Sequence, residues 1–134
     1  LSTATTPAIA AAGPFCTAGT ASGFGAGNPG TVCGTRNTYG VTGADGWVGI
    51  NLGGTEGGSP LSTLPKDPTN DATAGYYYSY MGDATALTFE LDARLESTKF
   101  RDKMKNDGGN RSTCTTYTSV DCYYEVGTEP GLDL

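Results

Sequence analysis

A chain of 134 residues can bury one modest hydrophobic core and is too short for two ordinary ones. Its 14 Asp and Glu against 8 Lys and Arg give a formal net charge of −6 with no basic run, which argues against nucleic acid, because phosphate binding needs clustered cations. It has no histidine, and so lacks the commonest general base near neutral pH and the commonest metal ligand; an enzyme is not the expected reading.

Residues 1–46 are built almost entirely from Gly, Ala, Thr, Ser, Pro and Asn, with Phe15, Phe24, Val32 and Tyr39 scattered among them. That composition buries little and reads as an exposed, irregular lobe. The opening LSTATTPAIAAAG holds no apolar run long enough for a signal or membrane helix, so the chain reads as processed or truncated. Cys16, Cys33, Cys114 and Cys122 show no C-x-x-C spacing, which points away from zinc and thioredoxin chemistry and toward disulfides. Of the three connectivities, the local pairs Cys16–Cys33 and Cys114–Cys122 keep each bridge inside one loop-rich stretch. Disulfides imply an oxidising compartment, hence export.

WVGINL (47–52) is a short apolar stretch between glycine-rich segments and reads as a strand. In LSTLPKDPTND (61–71), Pro65 and Pro68 fix their own backbone angles and push Leu64 and Asp67 toward extended geometry. This is a rigid corner, with Leu61 and Leu64 as core anchors and Asp67, Asn70 and Asp71 as turn caps. YYYSYM (76–81) follows as a strand that places Tyr76, Tyr78 and Tyr80 on one face and Tyr77, Ser79 and Met81 on the other. The clearest period of two lies in LTFELDARL (87–95), where Leu87, Phe89, Leu91, Ala93 and Leu95 alternate with Thr88, Glu90, Asp92 and Arg94. That is a half-buried strand with one wet face, joined to the tyrosine strand through GDATA as an antiparallel hairpin. STKFRDKMKNDGG (97–109) predicts about two helical turns, with Ser97 or Thr98 as cap and Phe100 and Met104 on one face. CYYEVG (122–127) is the last strand. The sum is an α+β, mostly β, single domain over 1–134: a disulfide-tied lobe (1–46) and a sheet core (47–134) of about four antiparallel strands, long loops and one short helix. One short helix cannot cover a sheet, so its apolar face is expected to lack a partner.

Three kinds of site are worth weighing. A tyrosine platform for sugars competes with cross-strand aromatic pairing, which explains tyrosines in strands without a ligand. Glu90 and Asp92 share a strand face and could in principle support glycoside hydrolysis, but a solvated face of mixed charge with Arg94 is the ordinary meaning of the pattern. Calcium takes hard oxygen ligands from loops, and DPTND with NDGGN supplies Asp67, Asn70, Asp71 and Asp107, with Asp83 and Asp121 in other loops. The spaced calcium-loop pattern is missing, and such residues beside glycine commonly form turns. Asn110-Arg111-Ser112 satisfies the glycosylation triplet, which matters only in a eukaryotic secretory pathway.

In order and spacing, GWVGINL, GSPLSTLPKDPTN, YYYSY, LDARLESTKFRDKMKNDGG and YEVGT resemble the C-terminal soluble head domain of bacterial type IV pilin-like proteins, including type II secretion pseudopilins. The resemblance covers residues 46–128 and hardly touches the first forty-five. It implies a non-catalytic filament subunit, extracellular at the cell surface or in a periplasmic pseudopilus, whose partners are copies of itself or related pilins. It also implies a long N-terminal helix, half in the membrane before assembly, which is expected upstream of Leu1 as about 20 apolar residues. No cofactor is required on this reading, with calcium as the one candidate. The alternative function is an adhesin or minor tip subunit that binds a surface glycan or partner protein through the 1–46 lobe.

Overall fold

The computed structural model describes residues 13–20, 22–24, 33–119, 121–128 and 131–134. Five short strands form one mixed sheet in the order β2-β1-β3-β4-β5: β1 at Phe15–Cys16, β2 at Gly34–Thr35, β3 at Ser79–Asp83, β4 at Thr88–Ala93 and β5 at Tyr124–Gly127. All neighbouring pairs are antiparallel except β1 with β2. The mostly β reading holds, but the strands differ in origin. The lobe contributes β1 and β2, and WVGINL contributes none.

The hairpin forms where the sequence pattern is strongest. Asp83 faces Thr88 across its end, and the Asp83 carboxylate accepts the N–H groups of Thr85 and Ala86 at 2.7 and 3.0 Å. Such a side chain replaces a backbone acceptor and closes the turn. Leu87 belongs to that turn: it sits at φ 57° and is 61% exposed, so the inward alternation begins at Phe89 instead.

Two segments depart from their expected elements for local reasons. In WVGINL, Gly49 takes φ 72°, which breaks an extended path, and Asn51 then caps a 3-10 turn at Leu52–Gly54. Residues 97–109 form one 3-10 helix, Arg101–Lys105, in place of two α-helical turns. Neither Ser97 nor Thr98 caps it: the N-cap is Phe100, with no side-chain bond, and Ser97 closes the preceding turn, its carbonyl accepting from the Phe100 and Arg101 N–H groups. Only Met104 of that helix is buried, while Phe100 is exposed; with one inward residue, packing cannot repay the cost of a longer helix.

One face of the sheet carries the row Phe15, Tyr80, Leu91 and Val126, one residue from each of β1, β3, β4 and β5. Contrary to expectation, this apolar face has a partner within the chain. Trp47 and Leu64 pack in one cluster with Tyr80, Tyr78, Phe89 and Leu91, and the Trp47 indole N–H donates to the Pro65 carbonyl at 3.0 Å. The proline corner thus anchors through Leu64, which also donates its N–H to Tyr39 O, whereas Leu61 is 45% exposed. Cover is incomplete toward β5. An apolar groove of about 380 Å³ stays open there, lined by Trp47, Leu64, Tyr78, Leu91, Tyr124 and Val126.

The described part of the lobe is tied into the fold rather than loose. Cys16–Cys33 is bridged and packs with Tyr77, Phe24 is fully buried, and Thr17 donates its N–H to Tyr78 O. The second disulfide, Cys114–Cys122, closes the loop that leads into β5.

Candidate metal centre

The opposite face of the sheet carries the row Cys16, Ser79, Asp92 and Glu125, with Glu90 two residues before Asp92 on the central strand β4. Sequence periodicity assigns this face to water. Instead Glu90, Asp92 and Glu125 are each 1% exposed. The covering pieces come from far along the chain. Gly23 lies against Asp92 and Tyr123, and its carbonyl accepts Arg111 Nε at 2.6 Å. The Arg111 N–H donates to Glu125 Oε2 at 2.9 Å, Asp107 Oδ2 accepts the Glu125 N–H at 3.0 Å, and the Leu134 N–H donates to Glu90 Oε2 at 3.1 Å.

The three carboxylates each present an oxygen, and these lie within 4.8 Å of one another. No hydrogen bond of ordinary geometry reaches either Asp92 oxygen or Glu125 Oε1, although the Gly23 backbone and the Glu90 carboxyl lie close enough to act on the Asp92 charge; Ser79 Oγ, opposite Asp92 on β3, is likewise buried and unpartnered. Burial, and then the charges of Glu90 and Glu125, hold the Asp92 carboxyl well above the usual carboxylate range. Burial also pushes Glu125 up to about 7, with Asp107 and Glu90 adding to it and the Arg111 N–H opposing. Two glycines make room: a side chain at Gly23 would overlap Asp92 Oδ2, and one at Gly109 would overlap Glu125 Oε2. Arg111, whose guanidinium reaches Gly23 O and pairs with Asp121 at 2.7 Å, is the cation at the rim of this cluster.

The loop candidates for calcium are occupied in other ways. Asp67 accepts from the N–H groups of Thr69 and Asn70, and Asp71 from those of Thr73 and Ala74, so both close turns. Asn70 sits at φ 44° and accepts from the Thr17 hydroxyl at 2.7 Å. Asp107 serves Gly109 with one oxygen and Glu125 with the other. Among the described residues, the acidic side chains at these positions do not gather in a group of three, and Glu90, Asp92 and Glu125 do. Nor do the tyrosines form an open platform: Tyr77 and Tyr80 are buried on opposite faces. The burial of Glu90 and Asp92 and the arrival of Glu125 escaped the sequence reading. The available signal was an acidic residue outward on each of two strands, Glu90 and Asp92 in FELDA and Glu125 in YEV, but nothing local says what covers them.

No family model, curated protein or solved structure matches this chain. Among the described residues, no helix is long and apolar enough to cross a membrane. The two disulfides fit a protein that matures in an oxidising compartment.

Proposed function

We propose that this chain is a structural subunit of an exported, type IV pilus-like filament or pseudopilus, without catalytic activity. The observation that carries the reading is the apolar groove over β4 and β5, which leaves Val126 42% exposed beside a face otherwise sealed by Trp47 and Leu64. A pilin-like subunit would lay an amphipathic helix there, and parts of the motifs resembling pilin heads line the groove: Leu91, Tyr124 and Val126 from the strands, Trp47 and Leu64 from the segments that cover them. Two disulfides suit a subunit that works outside the reducing cytoplasm. Burial argues against hydrolysis: with Glu90 and Asp92 each 1% exposed, a glycosidic bond cannot reach either carboxyl group.

The test is immunogold labelling of the native cell surface with antibodies to this chain, together with filament yield for Val126→Lys. Labelled filaments, lost in the variant while its isolated head keeps the wild-type unfolding midpoint, are the expected result. Label confined to non-filamentous material, or filament yield unchanged by a charge in the groove, overturns the reading.

A further inference from the structure

We propose that Glu90, Asp92 and Glu125 form a calcium site that fastens the loops of the polar face onto the sheet. The geometry starts from three strand-borne carboxylates, whose backbones are held in register by two antiparallel ladders. Opposite ligands of a calcium ion stand about 4.6–5.2 Å apart, twice its 2.3–2.6 Å bond length, whereas magnesium at about 2.1 Å brings them within about 4.2 Å. The three carboxylate oxygens, all within 4.8 Å of one another, fit inside such a calcium shell, and hard oxygen donors are what that ion takes.

A second, independent observation points to a ligand. Asp92 is 1% exposed and faces the other two carboxylates, yet no hydrogen bond of ordinary geometry satisfies either of its oxygens, nor Glu125 Oε1; the Gly23 backbone approaches Asp92 only loosely. Buried polar atoms in folded proteins are satisfied, and an unpaired buried carboxylate is among the costliest groups to leave so. A divalent cation supplies what these atoms lack. It takes Asp92 through both oxygens and Glu125 through Oε1, with Glu90 and the neutral Ser79 hydroxyl on the same face. The remaining positions of a six- to eight-coordinate shell fall to water. Arg111 beside the cluster is already engaged with Gly23 O and Asp121. The glycines at 23 and 109 keep the cradle from being filled by a side chain. Because the loop bearing Asp107 and Arg111, the Gly23 segment and Leu134 all bond to the triad or its neighbours, the ion would tighten them together. This inference does not rest on the filament reading.

The experiment is calorimetric titration of the full chain, stripped with EDTA, with calcium chloride at neutral pH, paired with thermal unfolding. One ion per chain is expected, with a rise in Tm of about 10 °C at a hundredfold excess over the dissociation constant. Asp92→Asn and Glu125→Gln, which keep shape and remove charge, should each abolish the heat and the rise, while Glu56→Gln on an exposed turn leaves both intact. Absence of saturable heat in the wild-type chain up to about 10 mM calcium, beyond the weak range of extracellular calcium modules, overturns the proposal. So does an unchanged response in either triad variant, which would place the ion elsewhere.

Discussion

Replacing Trp47 by alanine tests how the sheet's apolar face is closed. The indole is 2% exposed, packs with Leu64 and Tyr80, lies 6.1 Å from the Tyr78 ring centroid, and donates to Pro65 O. Truncating a buried aromatic of this size to alanine costs about 3–5 kcal/mol, from lost transfer energy plus the cavity left behind. For a chain of this length that lowers Tm by about 10–20 °C. Trp47→Phe retains most of the apolar contact but strands the Pro65 acceptor, for a loss of about 1–2 kcal/mol. Urea unfolding followed by far-UV circular dichroism reads both variants. As Trp47 is the sole tryptophan, wild-type fluorescence should show the blue-shifted emission and weak quenching by acrylamide of a buried indole. An alanine variant within about 1 kcal/mol of wild type, or emission of a water-exposed indole, would show that the 47–65 segment does not cover the sheet.

Tyr80→Phe should be neutral or stabilising by up to about 1–2 kcal/mol, because the Tyr80 hydroxyl is buried without a partner. Burial also raises its pKa above 10.0, so in the wild type the stability that goes with a neutral Tyr80 phenol is fully present below pH 10 and is lost as pH rises through the folded-state value. The phenylalanine variant should therefore lose part of the alkaline decline in urea midpoint, and a variant less stable by more than about 1 kcal/mol at neutral pH would contradict the reasoning. Removing the Cys16–Cys33 bridge as a double alanine variant should cost about 3 kcal/mol, and removing Cys114–Cys122 about 2.5 kcal/mol, following their separations of 17 and 8 residues in the chain-entropy account. Equilibrium unfolding of the two variants checks the order as well as the size.

Much of the architecture was legible because it is local. The β3–β4 hairpin follows from alternation on either side of an Asp-led turn, and β5 from the apolar Tyr124 and Val126 around Glu125. What failed to show was contact between distant segments. Period two tells which residues share a face, as it did for Glu90 and Asp92, but the cover came from Gly23, Arg111 and Leu134 and left no trace in the strand itself. The same limit explains Trp47. An apolar run beside glycines resembles a strand until Gly49 takes a positive φ and the indole turns into the core. The loop carboxylates Asp67 and Asp71 were legible as turn formers from their neighbours alone.

The short strand β1 sits between β2 and β3, pairing Phe15 with Tyr80 and Cys16 with Ser79, so the glycine-rich lobe is the selvage of this sheet rather than an appendage to it. Cutting the lobe away would unpick that border and bare a row of unsatisfied amides and carbonyls along β3, the kind of raw edge on which other chains add strands. Stickiness gained by such a truncated protein would then report frayed backbone rather than recognition. Any binding role of the lobe is therefore better dissected by single substitutions on its surface, with Phe15, Cys16 and Thr17 left in place.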